Sequence, residues 1–348
     1  MSKSVTSTEQ YSSSTSLGQS ALHDDGAKSA EKSIRRSGTS EMGRMNKLAF
    51  HLHTLWLFTK SDLPTSTGIN TTFAVAGILA GPAMISDMDG DDINWSDMGK
   101  GLLVALYFTW HLTLCFNLGN QRQPQSVIED GANKPWRPLP AGRITPELTR
   151  TWHLIAIATL LTLCYTTLGA WKDTAFYLFC TWLYNERAWG DKSWWQRALM
   201  NACGITTNRV ATLRVAMAAG QTEGFEFTDK SVVWFFVTAG IVFTTIQVQD
   251  LRDQEGDALI DRQTLPLILG DAPTRWLTAA AICIWSVLCP RYWDLGVLGC
   301  MVPILTGLAV TAHMLVFRTR RADQTSFRLV ATWWISLYFL PMMKMHGL

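Results

Sequence analysis

The chain has 348 residues, 48% of them hydrophobic and 17% charged, with 30 Lys and Arg against 28 Asp and Glu for a net charge of +2. No segment carries a dense basic stripe, which excludes nucleic acid as a partner, and none of the seven cysteines forms a CxxC pair, which excludes a disulfide scaffold and a thiolate metal site. What remains is long apolar runs broken by short polar loops, the pattern of an all-α polytopic membrane protein, since ~20 mostly apolar residues are needed to cross the hydrocarbon.

Residues 1–46 differ from the rest: they are rich in Ser, Thr, Gly and charge and lack apolar periodicity. Such composition reads as a disordered cytosolic tail. Glu9, Asp24, Asp25 and Glu31 argue against a mitochondrial transit peptide, and no apolar core of a signal peptide is present. The remaining residues, 47–348, form the second expected domain. His51 and His53 stand close together near its start but have no third partner, so no metal site is expected there.

Nine apolar segments follow, at roughly 65–86, 99–119, 148–170, 173–188, 198–219, 231–248, 274–290, 294–317 and 326–345. The loops test this count. Arg122, Lys134, Arg137 and Arg143 lie in the second; Arg187, Lys192 and Arg197 in or beside the fourth; Arg252, Arg262 and Arg275 around the sixth; Arg318, Arg320 and Arg321 in the eighth. The odd loops hold only Lys100, Lys172, Lys230 and Arg291. Positive charge marks the cytosolic side, so the even loops and the N-terminus are expected to face the cytosol. The location expected for this integral, multi-pass protein is the endoplasmic reticulum.

Two acidic clusters then fall on the same side. The first follows the second segment: Asn120, Glu129 and Asp130, then the run NKPWRPLPAGRIT from Asn133 to Thr145. The second follows the sixth: QVQDLRDQEGDALIDRQTLP, from Gln247 to Pro266. Its Asp250, Asp253 and Asp257 are spaced by three and four, which on a helix puts three carboxylates on one face. Stacked like charges call for a cation. Mg²⁺ fits, because it takes one or two protein carboxylates and lets substrate phosphates complete its shell. The plainer alternative is a solvated helix end whose acids pair with Arg252 and Arg262. Two acidic lips with Lys134 and Arg137 between them favour the Mg²⁺-bridged diphosphate. Pro135, Pro138 and Pro140 would stiffen the basic loop by fixing φ.

The NKPWRPLPAG run with acids just before it, and the DxxDxxxD run followed by TLP, resemble the two aspartate-rich motifs of the UbiA superfamily of intramembrane prenyltransferases. The resemblance covers about residues 47–348. It implies a nine-transmembrane-helix bundle with a central cavity, capped on the cytosolic side by a Mg²⁺-diphosphate site. By position it assigns Asn120, Glu129, Asp130, Asp250, Asp253 and Asp257 to the metal, all but Glu129 also as catalytic residues. Lys60 (in LWLFTKSD), Asn133, Lys134, Arg137 and Arg252 are assigned to the diphosphate. The first motif departs from the usual NDxxDxxxD: Gln121 follows Asn120, position 124 is Pro, and the acids arrive only at Glu129 and Asp130. That pattern is similar to the fungal branch that includes UbiA-type terpene cyclases.

The resemblance implies Mg²⁺-assisted ionisation of an allylic diphosphate, after which the carbocation needs a dry, aromatic-lined cavity. Trp110, Trp152, Phe176, Tyr177, Trp182, Trp234, Phe235, Phe236, Trp333, Trp334 and Tyr338 are the candidates, although Trp and Tyr also gather at membrane interfaces. Arg209 and Arg214, inside the fifth segment, are further site candidates unless they snorkel outward. The expected function is a terpene cyclase acting on farnesyl or geranylgeranyl diphosphate. Prenyl transfer to an aromatic acceptor is the alternative, and a transporter the third reading. The expected partners are the prenyl diphosphate and membrane lipid; no protein partner is inferable.

Overall fold

Polar residues at the head of apolar runs set where five of the helices begin. The computed structural model describes residues 47–86, 94–220 and 225–347, so the expected disordered tail lies outside the described residues. The chain divides into two units, Met1–Leu55 and Trp56–Leu348. The described part of the first, residues 47–55, is helical.

The helices are α1 (Lys47–Thr59), α2 (Ile69–Leu79), α3 (Trp95–Gln121), α4 (Pro124–Asn133), α5 (Pro146–Leu163), α6 (Trp171–Asn185), α7 (Trp189–Lys192), α8 (Trp194–Ala219), α9 (Asp229–Thr245), α10 (Gln247–Leu259), α11 (Leu265–Leu269), α12 (Asp271–Tyr292), α13 (Val297–Val316), α14 (Arg320–Tyr338) and α15 (Leu340–Met345). Single π-helical turns, Leu63–Gly68 and Cys164–Leu168, precede α2 and extend α5. There is no β-strand among the described residues. Side chains of Asn94, Thr145, Ser193, Thr228 and Thr319 accept from backbone N–H groups in the first turns of α3, α5, α8, α9 and α14. Each satisfies a donor that the helix leaves open. Pro124 and Pro146 start α4 and α5, where the missing N–H is harmless.

Five described helical segments are long and apolar enough to cross a membrane: Trp95–Gln121, Pro146–Leu168, Asp229–Leu259, Asp271–Tyr292 and Val297–Val316. They correspond to the second, third, sixth, seventh and eighth expected segments. The other four are helical but shorter or more polar. The first is broken at Gly81, whose φ of +48° ends α2, the fourth gives the 15-residue α6, and the fifth, α8, carries Arg197, Asn201, Asn208, Arg209 and Arg214.

α8 packs against α2, α3, α6, α7 and α9, while α10 packs against α4, α11, α12 and α14. These two helices organise the candidate site. Several buried hydroxyls are satisfied by the helix itself: Thr113, Thr212 and Thr278 bond to carbonyls one turn back, as an apolar surrounding favours. Between helices, Thr109 donates to Asn208 Oδ1 at 3.0 Å and Trp333 Nε1 to Ser286 at 2.9 Å. α3 and α8 touch backbone to backbone at Gly101, where a Cβ would overlap the carbonyl of Ala216. Gly101→Leu is therefore expected to separate the pair and cost about 3 kcal/mol, at the upper end for overpacking. Thermal unfolding in detergent checks this; an unchanged midpoint would show that α3 and α8 are not held this closely.

Candidate active site

One face of each of several helices lines a cavity of about 640 Å³ within the second unit. α3 contributes Thr113, Asn117 and Asn120, α6 contributes Tyr177, Thr181 and Tyr184, and α8 contributes Arg197, Asn201, Gly204 and Asn208. These spacings of three and four are those of one helical face. From Arg197 to Asn208 the wall follows α8 for about 16 Å at 1.5 Å per residue. Its Arg197 end meets the charged groups: Glu129 and Asp130 of α4, Lys134 and Arg137 beyond it, Arg252 and Asp253 of α10, and Arg262. The structure thus brings members of both acidic clusters to one cavity.

Nearly every acid there already has a guanidinium. Arg137 Nη1 donates to both carboxylate oxygens of Asp130 at 2.8 Å, and Nη2 donates to Ser61 at 3.1 Å. Arg197 Nε donates to Asp250 at 3.1 Å, and its Nη1 meets the Tyr184 hydroxyl and the Gly190 carbonyl. Arg252 clasps its neighbour Asp253 through Nε and Nη2. Arg262 is the hub. Its Nη1 lies 2.6 Å from Asp257 and 2.9 Å from Glu129, and its Nε lies 2.7 Å from Asp191. One side chain thereby joins the two clusters across α4 and α10. The contact is close: a Cβ at Gly256 would strike the Asn133 amide.

The expected site residues are not equivalent. Asn120, Glu129, Asp130, Asn133, Lys134, Arg137, Arg252 and Asp253 line the cavity. Asp250 and Asp257 share the face of Asp253 on α10 but are buried behind it, on Arg197 and Arg262. Lys60 is not on the wall; its ammonium sits 5.1 Å from the centre of the Trp136 ring. Arg209 is fully buried against the rings of Trp334 and Tyr338, at 5.2 and 4.7 Å, and Arg214 pairs with Asp173 at 2.9 Å. Neither reaches the cavity. Of the candidate aromatics, Tyr177 and Trp334 line it, together with Phe116, Tyr184 and Phe327, which the sequence did not single out. Nor did it assign a role to Arg197. Arg252 and Arg262 were named, in the plainer alternative, as partners of the second cluster's acids, and both pairs are present, Arg252 with Asp253 and Arg262 with Asp257.

Among the described residues no three His, Cys, Asp or Glu side chains converge to hold an ion by themselves. Mg²⁺ asks for less, one or two carboxylates with water and phosphate oxygens. Asp253 on the wall and the Asp257 carboxylate, whose buried Oδ2 has no hydrogen-bond partner, fit that requirement. Outside the membrane-spanning helices, burial raises the pKa of Asp130 against the pull of Arg137. Burial and the nearby Arg137 charge lower that of Lys134, outweighing Asp253, Asp62 and Asp130. For Arg137 the order reverses: burial would lower its pKa, but the Asp62 and Asp130 carboxylates prevail and raise it.

An all-helical chain with apolar spans, enclosing a cavity with paired acidic and basic walls at one end, defines an integral membrane protein built to receive an amphipathic anion. A sequence profile of the UbiA prenyltransferase family matches residues 70–337, and the chain belongs to that family. It is 25% identical over 296 residues to the fumagillin β-trans-bergamotene synthase of Aspergillus fumigatus, covering 83% of this chain and 92% of that one. It is 26% identical to the somaliensene A/B synthase of Streptomyces somaliensis, covering 81% and 90%. The fold matches that of a UbiA homologue from Archaeoglobus fulgidus bound to GPP and Mg²⁺, with a TM-score of 0.54 at 12% identity over 83% of this chain and 99% of that one.

Removing Arg262 would leave Asp257 and Glu129 as uncompensated buried charges, a loss of about 3–5 kcal/mol. Arg262→Met is expected to lower stability by that amount, and Asp257→Asn in the same chain to restore part of it. Chemical unfolding of both variants checks this; equal stability of Arg262→Met and wild type would remove the hub from the account.

Proposed function

We propose that this protein is a Mg²⁺-dependent terpene cyclase of the membrane, converting farnesyl or geranylgeranyl diphosphate to a cyclic terpene with release of diphosphate. The observation that carries this reading is one cavity with charged groups of both clusters at one end and, along the rest, Phe116, Tyr177, Met200, Ile205, Ile246 and Trp334 interleaved with amides and hydroxyls. The kinship with two terpene synthases supports cyclisation over transfer to an acceptor. Nine crossings and a cytosolic N-terminus belong to the same proposal and rest on the alternation of basic loops; an endoplasmic reticulum location is proposed with them.

In this reading Asp253, with Asp257 and Asp250 behind it, and Glu129, Asp130 and Asn120 are the residues that would hold Mg²⁺. When bound, Mg²⁺ supplies Lewis-acid stabilisation of the departing diphosphate, worth several kcal/mol. Lys134, Arg137 and Arg252 clamp the diphosphate oxygens, with Asn133 beside them. The allylic C–O bond breaks and its electron pair leaves with the diphosphate. The faces of Tyr177 and Phe116 stabilise the cation, each by about 2 kcal/mol when desolvated. A distal double bond of the same chain then attacks it, closing the ring, and the resulting cation loses a proton to the released diphosphate to give the neutral cyclic hydrocarbon.

Membranes containing the protein, incubated with farnesyl and geranylgeranyl diphosphate and Mg²⁺ but no acceptor, are expected to yield a cyclic hydrocarbon. Asp253→Asn should reduce turnover about 100-fold or more, the scale of losing a transition-state electrostatic contact. Product only after an aromatic acid or phenol is added would replace cyclisation with prenyl transfer. No product in either case, with substrate moved across the membrane, would favour transport.

The lowered pKa of Lys134 has a kinetic consequence. As pH rises, Lys134 loses its proton before an ordinary lysine would, so KM for the diphosphate is expected to climb on the alkaline side. Lys134→Arg stays protonated and should move that rise to higher pH. Superimposable profiles of KM against pH would take Lys134 out of the binding site.

A further inference from the structure

The cationic face of α14 is not used by the site described above. Arg320, Arg321, Gln324, Phe327 and Arg328 of α14 all line the cavity. Three of them have been spent: Arg320 pairs with Glu255 and meets the Asn133 amide, Gln324 accepts from Arg252 at 3.1 Å, and the Phe327 ring lies 4.5 Å from the Arg252 guanidinium. Arg321 and Arg328 are left on the exposed side of the helix. Neither makes an ion pair among the described residues. They are seven residues apart, two turns on one face, so their Cα atoms are separated by about 10 Å along the axis. Two guanidinium forks at that spacing can close on one phosphate-bearing group between them.

The surrounding pattern supports this. A helix face turned to lipid would be apolar, yet the exposed positions of α14 are Arg320, Arg321, Thr325, Arg328 and Thr332. The guanidiniums at the acidic clusters are already taken up by carboxylates, whereas, among the described residues, those of Arg321 and Arg328 are not.

We propose that Arg321 and Arg328 form a metal-independent phosphate-binding subsite on the α14 wall, distinct from the acidic clusters. The identity of its natural ligand as a substrate diphosphate rests on the cyclase reading; a phospholipid headgroup presents the same phosphate chemistry. The subsite gives the anion a first contact before the metal site and a station for diphosphate leaving it.

The test uses the full chain in a maltoside detergent with EDTA, titrated with inorganic diphosphate. Wild type is expected to bind it, Arg321→Gln/Arg328→Gln to bind about tenfold more weakly or worse, and Arg321→Lys/Arg328→Lys to fall between. In a second arm, the protein is passed through bilayers containing phosphatidic acid and repurified, and the retained lipid is quantified. Retention by wild type but not by the glutamine variant, without diphosphate binding, assigns the subsite to a lipid headgroup. Both residues are exposed, so thermal midpoints should match; if the double variant fails to fold, the single variants Arg321→Gln and Arg328→Gln carry the comparison. Equal behaviour of wild type and glutamine variants in both arms overturns the proposal. Neither arm requires turnover, so an absence of terpene product would leave these results standing.

Discussion

Arg262 is the side chain on which the charged end of the cavity depends. It is 6% exposed and bonds carboxylates from α10, α4 and the short α7. Three elements far apart in sequence are thereby held at one point. Without a cation there, Asp257 and Glu129 would repel each other across a buried gap, and α4 would have no reason to lie against α10. The hub also sets a condition on chemistry. A metal that takes up Asp257 or Glu129 competes with Arg262, and a guanidinium released from a carboxylate is well suited to a diphosphate oxygen. The same exchange is available to Arg137 on Asp130, Arg197 on Asp250 and Arg252 on Asp253. The site is charge-compensated in advance, so loading it replaces partners instead of creating charge.

The rest of the bundle frames that end. α8 runs beside the cavity and packs against α2, α3, α6, α7 and α9, and its Asn208 Oδ1 accepts from Thr109 of α3. Behind the wall, Arg209 is held by two rings and not by an acid. Its charge occupies one side of Trp334, which weakens that indole as a cation stabiliser and leaves Tyr177 and Phe116 as the better-placed faces.

The second cluster was legible because its spacing is itself a structural statement: three and four residues on a helix mean one face, and α10 is that helix. The first was harder to read, and its irregularity has a local cause. α3 ends at Gln121, Pro124 opens a separate helix, and Glu129 and Asp130 sit on α4, which packs against α10. A motif that looks late in sequence is near in space because a short helix has been inserted. Partner choice was only partly legible. The sequence named Arg252 and Arg262 as partners of the second cluster's acids but not which acid each takes, and nothing in it says that Arg197 faces Asp250 from a different helix. Lys60 was assigned to the diphosphate by position alone, and in the structure it stacks on Trp136 away from the cavity wall. The α14 arginines counted only as cytosolic charge, because burial and lining are properties of the packed bundle.

The central claim is that the two acidic clusters form one metal–diphosphate site. A structure of the protein with Mn²⁺ and a thio-analogue of farnesyl diphosphate tests it most directly. The account predicts anomalous density between Asp253 and the Glu129–Asp130 pair, with diphosphate oxygens against Lys134, Arg137 and Arg252. Metal bound at one cluster alone, with the diphosphate elsewhere, would contradict it.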